Sequence, residues 1–128
     1  MAKKTERQKL EKKLDDLWRE CIQVRDGTCR VCNHSGRLEA HHIMGRRHKA
    51  TRWDLENGIL LCWNHHVKYG HADPEALRDN IIDCIGIAKY NGLKEKSQNN
   101  GKACRFSMAD LEDIKDKLKR ALSAWGEL

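Results

Sequence analysis

The sequence predicts a small α+β domain with one helix before it and two or three helices after it. Apolar residues recur with helical periodicity at both ends of the chain, whereas the middle holds short segments rich in cysteine and histidine. Leu, Ile, Val and Phe together supply about a fifth of the 128 residues, which is little for a hydrophobic core of this size. We therefore expect one domain whose core needs additional stabilisation.

The N-terminal segment, residues 3–25, is predicted to be a helix. Its apolar residues recur at steps of three and four: Leu10, Leu14, Leu17, Cys21 and Val24. Asp26-Gly27 is a turn signal that ends this helix. The basic residues at its start form either a solvated face or an arm that contacts phosphates; they are Lys3, Lys4, Arg7, Lys9, Lys12 and Lys13.

The segment after residue 72 is predicted to be helical. Asp73 is the expected N-cap and Pro74 the first residue of a helix that Gly86 breaks or kinks. After a second short helical segment, the polar residues 96–102 predict a mobile loop. Ser107 and Asp110 resemble a capping box that opens the last helix. The apolar positions of the first and last of these helices are Leu77, Ile81, Ile82 and Ile85, and Leu111, Ile114, Leu118, Leu122 and Trp125.

The charge balance favours a polyanionic partner such as nucleic acid. The chain has 25 Lys and Arg against 19 Asp and Glu, with a formal net charge of +6 and a pI of about 9.1. The longest apolar stretch, residues 58–63, is far shorter than the roughly 20 residues of a transmembrane helix. The first residues do not lead into the apolar segment of a signal peptide. We therefore expect an intracellular protein with no membrane partner and with reduced cysteines.

Two half-sites with metal-ligand spacing predict a structural Zn²⁺. Cys29 and Cys32 form one half-site, and Cys62 and His65 form the other. Two intervening residues let a tight turn or the first turn of a helix present both ligands to one tetrahedral ion. Zinc binding supplies folding free energy on the order of 10 kcal/mol in small domains, which would compensate for the small core. The alternative is that these cysteines are buried as small apolar residues, as we expect for Cys21 and Cys84.

Three further histidines, His41, His42 and His66, are not needed by this zinc site. If a helix starts near Cys62, then Cys62 and His65 share a face and His66 is turned about 100° away. Adjacent residues of a strand point to opposite faces, so His41 and His42 cannot do the same job. This geometry favours one metal ligand and one general base.

In their order and spacing, these motifs resemble the HNH endonucleases, a family with a ββα-metal fold that is treble-clef-like. The matching segments are Cys29-x-x-Cys32, Leu38-Glu39-Ala40-His41-His42-Ile43, Asp54 to Cys62, and His65-His66. The resemblance covers residues 26–72. It divides the chain into a basic amphipathic helix (1–25), a zinc-stapled core (26–72) and a helical extension (73–128).

The resemblance implies an enzyme that hydrolyses phosphodiester bonds of DNA with a divalent cation such as Mg²⁺, Mn²⁺ or Ni²⁺. In it, His41 and His66 resemble ligands of that cation, His42 resembles the general base that activates water, and Asn57 resembles the residue that braces the loop carrying the base. A neutral imidazole near pH 7 can accept a proton from water while a divalent ion stabilises charge on the phosphate.

Basic residues between the two expected strands are predicted to contact DNA phosphates on either side of the cleaved bond. They are Arg46, Arg47, Lys49 and Arg52. Duplex, nicked and branched DNA, and also RNA, all stay open as substrates.

The sequence departs from the family at two positions. Many members have a third histidine one helical turn after the second ligand, where this chain has Gly70, so His71 can bind the catalytic ion only if the helix ends before it. His65 stands where members commonly have a fourth zinc-binding cysteine. A looser similarity, from Arg25-Asp26-Gly27 to Phe106-Ser107, is to phage recombination endonucleases of the NinG/Rap type, which implies the cytoplasm of a bacterial or phage-infected host cell.

Two other classes of function are compatible with the zinc motif. A zinc-binding module that binds nucleic acid without cutting it needs Lys and Arg for affinity, but no neutral base beside a metal ligand. A zinc-stabilised protein-interaction module explains the cysteines but neither Asn57 nor the histidines. The histidine pair therefore favours the nuclease.

Overall fold

A computed structural model of the chain describes residues 3–68, 72–99 and 104–126. Within these residues, a two-stranded antiparallel sheet is combined with four α-helices, one before it and three after it. The elements are α1 (Glu6–Asp26), β1 (Leu38–His42), β2 (Gly58–Cys62), α2 (Pro74–Ile85), α3 (Ile87–Gln98) and α4 (Met108–Gly126), with a 3₁₀ turn at Leu55–Asn57 and a π-helical turn at Asn64–Lys68. The predicted α+β class with flanking helices is confirmed.

Helix α1 begins at Glu6 rather than at residue 3, because Thr5 caps it. The Thr5 hydroxyl accepts the N–H of Gln8 at 3.1 Å, and the Gln8 side chain accepts the N–H of Thr5 at 2.9 Å. Leu14, Leu17 and Cys21 are buried as predicted. The prediction for Val24 is wrong, since that side chain is 45% exposed. The buried face of α1 is rotated towards Trp18 and Ile22, which leaves Val24 at its edge.

Strand β2 separates two hydrophobic clusters. Antiparallel pairing places His42 opposite Gly58 and Leu38 opposite Cys62, and every residue of β2 is buried. Leu60 packs with α1 and α4, whereas Ile59 and Leu61 pack with α2 and the first zinc-motif cysteine. Because side chains alternate along a strand, successive side chains of β1 point alternately to the sides of the sheet that hold these two clusters.

The end of α1 is fixed to the sheet by Arg25 and Asp26. The buried Asp26 carboxylate accepts the N–H of Leu60 at 3.0 Å and the Nε–H of Arg25 at 2.8 Å. The same guanidinium donates to the carbonyls of Leu55 and Gly58, both at 2.6 Å. Asp26, which was predicted only as part of a turn, therefore also joins α1 to the start of β2, together with Arg25.

The C-terminal helices follow the predicted signals. Asp73 accepts the N–H of Ala76, and Gly86 separates α2 from α3 with a φ of 92°, which favours glycine. Ser107 and Asp110 form the predicted capping box. The polar loop predicted for residues 96–102 starts later, because α3 continues to Gln98 and Asn99 ends it in a left-handed conformation; residues 100–103 lie outside the described part. None of the described helices has the length and apolar character needed to cross a membrane.

Gly58 lies where side chains of α1 pack against β2, and this contact gives a test of the packing. A Cβ atom at Gly58 would lie closer than 3.0 Å to side-chain atoms of Ile22 and Trp18. We expect Gly58→Ala to lower the free energy of unfolding by about 1–3 kcal/mol, as overpacking of cores does. Chemical denaturation of the metal-loaded protein measures this change.

Gly92→Ala is the matched control, because a Cβ there meets no atom within 4 Å and the residue lies inside α3. It should be neutral or stabilising. Equal stability of the Gly58 variant and the wild type would contradict the close packing of α1 on β2.

Candidate functional site

The four predicted zinc ligands come together in the structure. One thiol or imidazole atom of each of Cys29, Cys32, Cys62 and His65 lies within 4.8 Å of the others. The Sγ atom of Cys62 is 3.1 Å from His65 Nδ1 and 3.8 Å from the Sγ atom of Cys32. A tetrahedral ion with Zn–S of about 2.3 Å and Zn–N of about 2.0 Å spaces its ligands by roughly 3.5–3.8 Å. The cluster is therefore compatible with a zinc site in both geometry and donor chemistry.

The local chain explains how the two half-sites meet. Residues 29–34 form a turn in which the N–H of Cys29 donates to the His34 carbonyl and the N–H of Asn33 donates to the Cys29 carbonyl. Asn33 has a φ of 61°, the left-handed conformation that Asn adopts more readily than most residues. Burial raises the pKa of Cys29, but backbone hydrogen bonds at Cys62 and Cys32 outweigh it, so the net pKa is lowered. This favours the thiolate that a metal ion requires.

His65 and His66 point to different sites, although they are adjacent. His65 faces the cysteines, whereas His66 Nδ1 lies 2.5 Å from an Oε atom of Glu39. The ring of His66 packs edge-on against the ring of His41, with centroids 4.8 Å apart. A carboxylate only accepts hydrogen bonds, so Nδ1 of His66 donates to Glu39, and in the neutral ring Nε2 keeps its lone pair. Glu39, His41 and His66 thus form a second cluster on the α2 side of the sheet.

The environment of His41 keeps its imidazole neutral. Burial lowers its pKa, and the positive charges that His66 and His42 would carry lower it further, to about 4. A neutral imidazole is the form that binds a metal ion. His41 therefore has the protonation state that its predicted role as a ligand needs.

His42 faces the opposite side of β1 and is held between α1 and the loop after the strand. Its ring stacks on Trp18 with centroids 3.8 Å apart and planes inclined by 7°. His42 Nε2 is 2.9 Å from the carbonyl oxygen of Arg52. A carbonyl only accepts, so Nε2 carries the proton and Nδ1 offers a lone pair. Burial lowers the pKa of His42 and outweighs the opposing effect of that carbonyl, which favours the neutral ring.

Asn57 closes the loop that supplies this carbonyl. Its fully buried side chain accepts the N–H of Met44 at 2.7 Å and donates to the carbonyls of Met44 and Thr51, both at 3.0 Å. These bonds tie the two ends of residues 44–57 together. The side-chain hydrogen bonds of Asn57 go to the backbone of Met44 and Thr51, so they act on His42 through the loop backbone.

Arg52 is also tied to α1 through its side chain. Its guanidinium donates to Asp15 at 3.0 and 2.7 Å and to Glu11 at 3.3 Å, and only 13% of the side chain is exposed. Trp53 and Arg46 donate to the same Asp15 carboxylate. Burial raises the pKa of Asp15, but the hydrogen bonds from Arg52 and Trp53 outweigh it and the pKa is lowered. The carboxylate therefore stays ionised and keeps the cluster together.

The four predicted phosphate contacts consequently lie in different surroundings. Arg46 is 63% exposed although it contacts Asp15, and Arg47 and Lys49 are exposed with no ion pair to any described residue. Arg52 pairs with two carboxylates of α1 and its side chain is mostly buried, and its contact with phosphate stays a prediction. In this structure Arg52 joins the loop to α1.

Two cavities flank β1, one on each side. A cavity of about 570 Å³ lies between α1 and the sheet, and His42, Arg46 and Arg52 line it. A cavity of about 250 Å³ lies on the other side, where His41 and His66 face Arg78 and Tyr90 of the C-terminal helices. His42 therefore lines one cavity, and His41 and His66 line the other, on opposite sides of β1.

Some site residues escaped prediction, and one predicted residue cannot be placed. Glu39 is two residues before His41 and thus on the same face of the strand, so alternation could have identified it. Trp18 and Asp15 carry no such signal, because their partners are about 25 to 40 residues away in the sequence. His71 lies outside the described residues.

Comparison with known families bears on residues that form this site. The model of a family described as HNH endonuclease matches residues 29–73, which include both strands, the four-residue metal cluster and all three remaining histidines of the site. Residues 29–73 are an HNH endonuclease domain. No curated protein and no solved structure matched the chain.

The metal cluster of this HNH domain gives a direct prediction. Metal analysis of the purified protein should find close to one zinc per chain, and Cys62→Ser should lose it together with cooperative unfolding, because three remaining ligands hold the ion weakly. Cys104→Ser is the control, since Cys104 is outside the cluster, and it should retain zinc. A folded Cys62 variant with the wild-type stability, or a folded wild type free of metal, would contradict the site.

Proposed function

We propose that the protein is a metal-dependent endonuclease that hydrolyses phosphodiester bonds of DNA, with His42 as the general base. The observation that carries this proposal is the hydrogen bond from His42 Nε2 to the Arg52 carbonyl. It leaves Nδ1 as the proton acceptor of a neutral ring. The ring also lines an open cavity, and a general base needs a free lone pair within reach of the water that it deprotonates.

In this proposal, His42 accepts a proton from the attacking water through Nδ1. Stacking on Trp18 fixes the ring plane, and the Arg52 carbonyl stabilises the proton that Nε2 already carries. When Nδ1 takes up the second proton, the imidazolium is stabilised by the same carbonyl and by the nearby Asp15 carboxylate. His42 returns that proton to solvent after the phosphodiester bond has broken.

His41 and His66 are the residues that would hold the catalytic divalent ion. A bound cation of this kind stabilises negative charge on the phosphate and on the leaving oxygen. The donor set fits, because burial favours the neutral ring of His41, and the contact of His66 Nδ1 with Glu39 leaves Nε2 of His66 available for a metal ion. A carboxylate behind a ligating histidine fixes its tautomer and orientation. Imidazole donors suit Ni²⁺ better than Mg²⁺ or Mn²⁺, so we expect Ni²⁺ to bind these residues most tightly of the three ions.

The opposite directions of His41 and His42 restrict where the DNA can bind. Both belong to β1, which ends at His42, and the two cavities lie on either side of that end. One phosphate can be reached from both sides only where the strand stops. We therefore propose that the phosphate to be cleaved binds over the end of β1, beside the loop that Asn57 closes.

A cleavage assay tests this function. The zinc-loaded protein is incubated with supercoiled plasmid, linear duplex and a four-way junction in Mn²⁺, Ni²⁺, Mg²⁺ or EDTA; the junction is included because of the similarity to phage recombination endonucleases. Wild type should cut at least one substrate with a divalent ion and none in EDTA. His42→Ala should lose cleavage by a factor of about 10²–10⁴, with DNA binding and zinc content unchanged.

His34→Ala is the matched control, because His34 is an exposed histidine outside both clusters. It should cut at the wild-type rate. Cleavage by His42→Ala at the wild-type rate would refute the assignment of the base. A wild type that binds DNA and cuts none of the substrates would make the protein a binding module.

His66→Ala should fail in a different way from His42→Ala. It removes a metal ligand, so the Mn²⁺ concentration for half-maximal rate should rise about 10- to 100-fold, and high Mn²⁺ should restore part of the rate. Metal titration of the single-turnover rate separates the two variants. An unchanged metal requirement would show that His66 is not a ligand.

A further inference from the structure

A basic surface lies beside the 46–49 loop and is built mainly by residues outside the HNH domain. Two adjoining cavities of about 550 and 360 Å³ share Lys49, Ala50, Asn99 and Cys104 in their lining. The cations that line one or both of them are Arg47, Lys49, Lys96, Arg105 and Lys117. We call these five residues the basic surface. Three of them, Lys96, Arg105 and Lys117, follow residue 73, where the family match ends.

The positive charge of the basic surface is almost uncompensated. Among the described residues, one carboxylate lines these cavities, that of Asp54, which pairs with Lys96 at 2.5 Å. The other four cations have no ion pair to any described residue. Like charges kept close together without partners reduce stability, so they are better explained by an anionic partner than by folding.

The basic residues of α1 provide a contrast. Arg7, Lys9, Lys12 and Arg19 each pair with a carboxylate one turn away on the same helix. For Arg7, Lys9 and Lys12, the interpretation as a solvated face is therefore favoured over a phosphate-contacting arm. Lys3, Lys4 and Lys13 are exposed with no ion pair to a described residue, so both interpretations stay open for them.

The chemistry of the basic surface fits the backbone of duplex DNA rather than single strands. Single-strand sites stack bases on exposed aromatic rings. The aromatic residues in these cavities are Trp53 and Phe106, whose rings pack against each other at 5.9 Å, and Trp53 is buried. A ligand of this surface would therefore meet mainly Lys and Arg side chains, which contact phosphates without reading bases.

We propose that the basic surface binds the phosphate backbone of duplex DNA to one side of the cleavage site, so that the C-terminal extension contributes to DNA affinity. The proposal rests on DNA being the substrate of the HNH domain. The surface continues from Arg47 and Lys49 in the loop between the strands to Arg105 and Lys117. It acts on binding, and no residue in it contacts His41, His42 or His66 among the described contacts.

The test compares two charge-matched double variants of the full-length, zinc-loaded protein. Arg105→Gln/Lys117→Gln removes two charges from the basic surface. Lys119→Gln/Arg120→Gln removes two exposed, unpaired charges of α4 that line neither cavity. Fluorescence anisotropy in EDTA measures the affinity for a 30-base-pair duplex between 50 and 300 mM salt, and circular dichroism checks that both variants fold.

The surface variant should bind duplex DNA more than tenfold more weakly near 0.1 M salt, and its slope of log affinity against log salt should fall by about 2, as expected for two lost phosphate contacts. The control should differ much less from wild type in both quantities. Equal loss in the two variants, or no loss in either, would overturn the proposal. A larger loss for a 30-base single strand than for the duplex would also overturn the assignment to duplex DNA.

Cleavage measurements separate this proposal from the proposed function. At saturating DNA the surface variant should keep the wild-type single-turnover rate. If wild type fails to cleave but the surface variant shows the predicted loss of binding, the function is wrong and the surface stands. If wild type cleaves and the surface variant binds normally, the surface is wrong and the function stands.

Discussion

The buried amide of Asn57 is the constraint on which the geometry of the site depends. It makes three hydrogen bonds within residues 44–57 and is fully shielded from solvent. The loop it closes carries the Arg52 carbonyl, and that carbonyl selects the tautomer of His42. Loss of a buried hydrogen-bonding partner costs about 1–3 kcal/mol, and here it would also release the carbonyl that orients His42. Asn57 therefore influences the position of His42 through the backbone of the loop.

Helix α1 lies before the HNH domain but completes the surroundings of His42. Trp18 provides the stacking partner, and its Nε1–H donates to the carbonyl of Asp54 at 2.9 Å, in the same loop region. Asp15 binds the side chain of Arg52, whose carbonyl holds His42. The loop is therefore fixed by Asn57 from within and by α1 from outside. A fragment limited to residues 29–73 would leave one face of His42 exposed to water.

Much of this structure follows from local signals in the sequence. The zinc ligands have characteristic spacing, the helices capped by Asp73 and Ser107 start where predicted, and His41 and His42 diverge because they are neighbours on a strand. The cap at Thr5 was not predicted. Trp18, Asp15 and Asp26 were missed, because their roles depend on contacts with residues more than twenty positions away. The prediction for Val24 was wrong for a related reason: the packing of Trp18 and Ile22 against Gly58 decides which face of α1 is buried.

The tautomer of His42 tests the central claim most directly. Long-range ¹H–¹⁵N correlation spectra of the zinc-loaded protein at neutral pH report which ring nitrogen of each histidine carries the proton, and His42→Gln identifies the signals. We expect a neutral His42 with the proton on Nε2 and a lone pair on Nδ1. A His42 protonated on Nδ1 instead would contradict it, because that ring could not donate to the Arg52 carbonyl and accept a proton from water through the opposite nitrogen.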